Sequence, residues 1–276
     1  MNLVVQGSVL SSEALAGLAA LCGAADTVAL GKAAWRFSAV QQRDEVEPWC
    51  AERRLDCAWV PENRRLADLR LVTMDMDSTL VTIESIDEMG ELLGIREKIA
   101  AVTEQAMRGE IDYPESLRRR VALLAGLEEQ ALERICEERM HLSPGAEVLV
   151  QRCRELGIRT LLVSGGFTLF TTWLQRRLGI DAVLSNELEI ENGRLTGRVV
   201  GGIVDGAVKA QRLRTELEQL GIPRAHAVAI GDGANDIPMM AAAGVSIAYR
   251  AKPIVRRHAT HALDHSGLDG VLHLFL

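Results

Sequence analysis

The chain has 276 residues, 48% hydrophobic and 25% charged, which is ordinary globular usage with apolar material for two domains or for one core with a large insertion. Its formal net charge of −7 speaks against nucleic acid or an anionic membrane as partner and leaves room only for a local basic pocket. The longest apolar run, Ala14 to Ala25, has 12 residues and follows Glu13 instead of a basic segment, so neither a membrane span nor a signal peptide is expected.

The five cysteines, Cys22, Cys50, Cys57, Cys136 and Cys153, are odd in number and lack CxxC spacing, which points to reduced thiols in the cytoplasm. Asn2 to Val5 reads as a strand, and Ser11 or Ser12 can cap a helix with Leu15, Leu18, Leu21 and Cys22 on one face. Thr27 to Leu30 and Ala34 to Val40 read as strands, Val46 to Arg54 as a helix, and Cys57 to Val60 as a strand closed by Pro61. This βαββαβ order resembles small ACT-like modules, so residues 1–68 are expected to form a separate α+β N-terminal domain. The polar segment Pro61 to Arg65 is the natural linker.

Leu69 to Met74 suits a strand buried on both faces, and it runs into Asp75-Met76-Asp77-Ser78-Thr79. Strand alternation would project Asp75 and Asp77 to the same side. Two converging carboxylates call for a hard cation such as Mg2+ or for a shared proton. Taken alone, the string reads equally well as a solvated turn capped by Ser78 or Thr79. A calcium loop starting at Asp75 is excluded by Thr79, Leu80 and Ile86 at its fifth, sixth and twelfth positions.

Residues 83–142 read as an inserted helical cap, with helices over Glu84–Leu93, Ile95–Gly109, Pro114–Ala125 and Glu128–Met140. By composition alone, Arg118, Arg119 and Arg120 belong to a solvated helix face. After Ser143-Pro144 the alternation of sheet and helix resumes. Thr160 to Val163 ends at Ser164-Gly165-Gly166, where glycines let backbone N–H groups approach an anion beside the Ser164 hydroxyl. A GxSxG nucleophile elbow is excluded by Leu162. Asn192-Gly193 marks a hairpin turn among short strands, and Lys209, by spacing only a solvated lysine, opens a helix to Leu220. Ala227 to Ile230 then runs into Gly231-Asp232-Gly233-Ala234-Asn235-Asp236, which is not a dinucleotide fingerprint because Asp236 stands at its third glycine position. Ligands bind at the carboxyl ends of strands in an open parallel sheet, so the three loops should meet.

Together, DMDST, VSGGF, a downstream lysine and GDGAND, with helices inserted after the first motif, resemble the haloacid dehalogenase superfamily. Residues 71 to 262, through DSTLVTIESIDE, AMRGEIDYPESLRRRV and AKPI, are similar to the phosphoserine phosphatase family within it. The resemblance implies an α/β Rossmannoid parallel sheet over 69–276, with core 69–82 and 143–276 and cap 83–142. It also implies Mg2+-dependent hydrolysis of O-phospho-L-serine, the last step of L-serine biosynthesis, through an aspartyl-phosphate. Asp75 matches the nucleophile and Asp77 the general acid and base. The Asp75 carboxylate, the Asp77 carbonyl and Asp232 match the metal ligands, with Asp236 in support. Ser164, Gly165 and Lys209, supported by Gly166, match the phosphate binders, and Asn235 a substrate contact. Glu84 and Arg120 match residues that face the substrate's ammonium and carboxylate, and Tyr113 stands where the family usually has phenylalanine. Two alternatives stay open: phosphoryl transfer to an acceptor alcohol, and an amino-acid-binding regulator with an idle site. A small molecule is the expected partner, and a homodimer is compatible with the sequence without being required by it.

Overall fold

The computed structural model describes residues 1–275. Its first sixty residues form β1 (Asn2–Gln6), α1 (Ser12–Cys22), β2 (Asp26–Gly31), β3 (Ala34–Ser38), α2 (Val46–Glu52) and β4 (Asp56–Val60), with the antiparallel strand order β2-β3-β1-β4. The Ser11 hydroxyl caps α1 by accepting from Ala14 N–H, and Gly23 ends the helix in the left-handed conformation. Alternation along β1 divides the packing. Leu3 and Val5 meet Leu18, Cys22, Val46 and Cys50 of the helices, whereas Val4, with Ala58 and Val60 of β4, joins the apolar core of the rest of the chain.

The second unit contains β5 (Leu71–Met74), α3 (Ser85–Leu92), α4 (Arg96–Met107), α5 (Tyr113–Ala122), α6 (Glu129–Glu138), α7 (Ala146–Glu155), β6 (Arg159–Phe167) and α8 (Thr168–Leu178). It continues through β7 (Ala182–Glu191), β8 (Arg194–Val200), α9 (Gly206–Leu220), β9 (Ala227–Gly231), α10 (Ile237–Ala242), β10 (Val245–Tyr249), α11 (Pro253–Arg256) and β11 (His261–Leu263). The seven strands lie in the order β11-β10-β9-β5-β6-β7-β8, parallel except for the β7–β8 hairpin. Four-residue β5 sits between β6 and β9 and is buried throughout, which explains why it is apolar but for Thr73. The carboxyl ends of these three neighbouring strands carry the three loops singled out by sequence.

Helices α3 to α6 form the inserted cap. In α6, Ala131, Leu132, Ile135 and Cys136 supply a buried stripe at helical spacing. The two chain crossings into the cap pair with each other, through Thr82 N–H to His141 O (2.9 Å) and Ser143 N–H to Leu80 O (3.0 Å). The far end of the cap is stitched to the hairpin: Gly126 N–H donates to Leu195 O (2.8 Å), Leu195 N–H to Leu127 O (2.9 Å) and Glu129 N–H to Gly193 O (2.9 Å).

Three elements differ from the sequence reading. Strands β7 and β8 make one long hairpin instead of several short strands, although the turn at Asn192 and Gly193, both at positive φ, is where sequence placed it. Strand β6 continues to Phe167, because Ser164 to Gly166 bulge out of a ladder that resumes beyond them. Helix α9 starts at Gly206, capped by the Asp205 carboxylate on Val208 N–H, so Lys209 lies inside its first turn and is fully buried, not solvated. Among the described residues all five cysteines are free thiols, and no helix is long and apolar enough to cross a membrane.

The two sheets are joined by a buried acid. Asp56, at the start of β4, accepts backbone N–H groups from Asp264 (2.8 Å), His265 (3.1 Å) and Ser266 (2.8 Å), and the Ser266 hydroxyl as well. Beside it the Gln6 amide donates to Gly270 O (3.1 Å). Asp56→Ala would strand three N–H groups in a dry interface, so it should lower unfolding free energy by about 3 kcal/mol in urea titrations. Glu52→Ala, at an exposed ion pair, should stay within about 0.5 kcal/mol of the unaltered protein. Equal stability of the Asp56 and Glu52 variants would show that the junction contributes nothing.

Candidate active site

At Met74 the strand geometry ends. Residues Met76–Leu80 coil into a tight turn in which Ser78 takes φ 54°, and the Asp75 carboxylate caps it by accepting from Met76 N–H at 2.8 Å. Within this turn the two carboxylates find different hydrogen-bond partners. The Asp77 carboxylate is held by α3, accepting from Ser85 N–H (3.1 Å) and from the Ser85 hydroxyl (2.9 Å). Asp75 instead faces Lys209, whose Nζ lies 2.8 Å from Asp75 Oδ1 and 2.8 Å from Asp236 Oδ1. Asp236 also accepts from Gly233 N–H (3.0 Å), and Asp232 from the Thr79 hydroxyl (3.1 Å).

Charge crowding shapes the protonation of these groups. Burial, then the charge of Asp236, hold Asp75 well above the usual carboxylate range despite Lys209. Asp232 is pushed up to about 6 by burial and by Asp236. Burial alone would lower the Lys209 pKa, but Asp236 and Asp75 outweigh it, and the ammonium stays charged. Asp77 rises to about 7 through burial and the Glu84 charge, against the two Ser85 hydrogen bonds. A carboxyl at that value can both give and take a proton near neutrality.

Ligand oxygens of Asp75, Asp232 and Asp236 all lie within 4.8 Å of one another. Three carboxylates facing one ammonium leave an excess of negative charge, and the upward shifts of Asp75 and Asp232 record burial first and that repulsion second. An all-oxygen donor set in that state fits a hard divalent cation.

The second loop packs against the first. A Cβ on Gly166 would fall 2.6 Å from Met76 Cε and 3.1 Å from both Asp77 Oδ2 and Ser164 Oγ, so glycine allows this close approach without displacing those side chains. The Ser164 hydroxyl is buried and accepts from Gly166 N–H at 2.9 Å. From the cap, the Tyr113 hydroxyl donates to Gly165 O at 3.3 Å, and burial pushes its pKa up to about 12, which keeps the donor proton in place. Arg120 stands seven residues along α5 from Tyr113, on the same helical face. Its Nε donates to Ser116 O (3.4 Å), and it joins no ion pair among the described residues. Glu84, just before α3, accepts from the Ser78 hydroxyl at 2.7 Å. Asn235 folds back toward Gly233 in the third loop.

Sequence reasoning passed over Ser85 and gave Thr79 only a capping role. Ser85-Ile86-Asp87-Glu88 has the spacing of a helix capping box, but the Ser85 hydroxyl goes to Asp77 and the helix is entered from Glu84 without a side-chain cap. A hydroxyl at a helix start eight residues beyond an acidic loop was the available signal.

A family model described as haloacid dehalogenase-like hydrolase matches residues 72–241, more than half of the chain. The chain belongs to the haloacid dehalogenase-like hydrolases. A second model, described as a domain of unknown function, matches residues 3–46 of this hydrolase. The phosphoserine phosphatase of Albidiferax ferrireducens is 52% identical over 216 residues, covering 76% of this chain and 91% of the relative. A crystal structure of a probable phosphoserine phosphatase from Vibrio cholerae superposes with TM-score 0.88 at 36% identity, over 99% of this chain and 85% of that one. A phospho-aspartyl intermediate analogue of phosphoserine phosphatase superposes with TM-score 0.70 at 35% identity, over 75% of this chain and 99% of that one.

If the acidic cluster of this hydrolase takes a divalent cation, Mg2+ at a hundredfold excess over its Kd should stabilise the fold by about 2.7 kcal/mol. Thermal melts across a Mg2+ titration would show this as a rising midpoint. Asp232→Asn, which removes one charge, should flatten the rise. A midpoint indifferent to Mg2+ in the unaltered protein would rule out the cluster as a cation site.

Proposed function

We propose that this hydrolase cleaves O-phospho-L-serine to L-serine and inorganic phosphate by way of an aspartyl-phosphate on Asp75. One observation carries the reading. The α5 face that reaches Gly165 through Tyr113 also presents Arg120, a guanidinium in no ion pair among the described residues, toward a mouth where Glu84 supplies an opposite charge. A zwitterionic amino acid has the complementary pair of charges, and a planar guanidinium can donate two hydrogen bonds to its carboxylate. The similar proteins of Albidiferax ferrireducens and Vibrio cholerae, a phosphoserine phosphatase and a probable one, agree with this substrate.

The Asp75 carboxylate attacks phosphorus while the bond to the serine oxygen breaks, and Asp77 gives that oxygen a proton. Asp77, now ionised, takes a proton from water as it attacks the phosphorus of the aspartyl-phosphate, which returns Asp75 as carboxylate and releases phosphate. Splitting the displacement in this way lets one positioned carboxyl serve twice. Lys209 orients Asp75 at 2.8 Å and favours its ionised form against burial and Asp236. The Ser164 hydroxyl, the Gly165 N–H and Lys209 receive the phosphoryl oxygens, with Gly166 in support, and Asn235 contacts the substrate from the third loop. The Asp75 carboxylate, the Asp77 carbonyl and Asp232, supported by Asp236, would hold Mg2+. When bound, that ion screens the phosphoryl charge from the attacking carboxylate.

Asp75→Asn should abolish phosphate release from phosphoserine while the circular dichroism spectrum and melting stay native-like, because the amide is no phosphoryl acceptor. Turnover near that of the unaltered enzyme in purified Asp75→Asn would overturn the nucleophile assignment.

Arg120→Ala should cost about 2 to 4 kcal/mol in kcat/KM for phosphoserine, as for a buried charged partner removed. The loss on p-nitrophenyl phosphate, which has no carboxylate to recognise, should be much smaller. Equal losses on the two esters would place the amino-acid pocket elsewhere.

A further inference from the structure

Strand β7 runs beside the phosphate loop, and its ladder with β6 passes from Val163↔Leu184 to Phe167↔Asn186. Ser164, Gly165 and Gly166 therefore stand opposite Ser185 alone. Such a bulge leaves its backbone without ladder partners, and two glycines inside it are free to take many conformations. What restrains it is a fully buried amide just past the gap. Asn186 Nδ2 donates to Gly165 O at 2.8 Å, and Asn186 Oδ1 accepts from Val204 N–H at 2.8 Å. Both backbone partners are unambiguous in role, so the amide has one orientation.

The consequence passes through the peptide plane. Because the Gly165–Gly166 peptide is planar, fixing its carbonyl toward Asn186 and Tyr113 turns the Gly166 N–H the opposite way, onto Ser164 Oγ at 2.9 Å. The Ser164 oxygen then already has a donor, and its own proton is left for an incoming acceptor. At its other end Asn186 grips Val204, which precedes Asp205, the cap of the helix that carries Lys209. One side chain thus spans the two segments that carry Ser164 and Lys209.

We propose that Asn186 is a positioning residue for the phosphoryl group: it orients the Ser164 hydroxyl through the Gly165–Gly166 peptide and holds that loop in register with the Lys209 helix. The assignment rests on the phosphatase reading. It predicts a defect in phosphate handling that is blind to the rest of the substrate, unlike the defect of an Arg120 variant.

Asn186→Asp is close in shape and keeps an acceptor for Val204 N–H, but it sets an oxygen against Gly165 O. Inorganic phosphate binding by calorimetry in Mg2+, phosphate inhibition and turnover of phosphoserine and p-nitrophenyl phosphate should all be measured. Loss of one buried hydrogen bond should weaken phosphate binding about tenfold and lower kcat/KM by a similar factor on both esters. Tyr113→Phe, which removes the weaker donor on the same carbonyl and keeps the ring, should show a smaller loss with a native melt. If Asn186→Asp does not fold, Asn186→Ala, which leaves Gly165 O unbonded by the amide, takes its place with the same expectation. Phosphate affinity within twofold of the unaltered protein in the folded Asn186 variant, even with a lowered melting point, would reduce Asn186 to a structural role and overturn the proposal. So would a loss confined to phosphoserine. If the unaltered protein turns over neither ester, the phosphatase reading fails, and phosphate binding alone then decides on Asn186: a tenfold difference supports the tie and no difference, or no binding, removes it.

Discussion

A lysine with no exposed surface, held at 2.8 Å by Asp75 on one side and Asp236 on the other, is the interaction on which the rest of the site depends. Removing an ammonium from water is costly unless carboxylates replace the lost hydration, and removing two carboxylates without a cation is costlier still. The three groups are therefore tolerable only together. They come from the end of β5, the first turn of α9 and the loop after β9, so the ion cluster forms only once those elements have packed in register.

The same logic explains why the cluster sits on one short, buried strand. Strand β5, apolar but for Thr73, contributes none of the site's charged groups, yet its place between β6 and β9 brings three loop starts together. Each loop then departs from regular geometry where a side chain needs a direction. Ser78 turns left-handed, Ser164 to Gly166 bulge from a ladder, and Asp236 closes a short turn on Gly233. Rigid strands supply position, and irregular backbone supplies aim.

Much of this was legible in the residues. Apolar runs bounded by glycine located the strands, Asn192-Gly193 located the hairpin, and three polar strings after three strands located the site. What escaped was information held by distant partners. The burial of Lys209 depends on acids in two other loops, and nothing in its neighbours along the helix reports them. Asp56 resembles any acid at a strand start until the backbone of residues 264–266 arrives to bond it. The separate partners of Asp75 and Asp77 were not legible either: the chain leaves the strand here, and Asp75 meets Lys209 whereas Asp77 accepts from Ser85.

The stitching of the cap has a mechanical consequence. Its two entry strands are bonded to each other at Thr82 and Ser143, and its far end is bonded to the hairpin at Gly126, Leu195 and Glu129. A body pinned along two lines does not lift away as a detached lid. The compliant part is what lies between the pins, and α5, which bears Tyr113 and Arg120, ends just before the second of them. Any displacement of α5 relative to Asp75 would have to strain the backbone bonds at Gly126, Leu195 and Glu129. Residues of β8 that touch no reacting atom thereby bear on where Tyr113 and Arg120 stand.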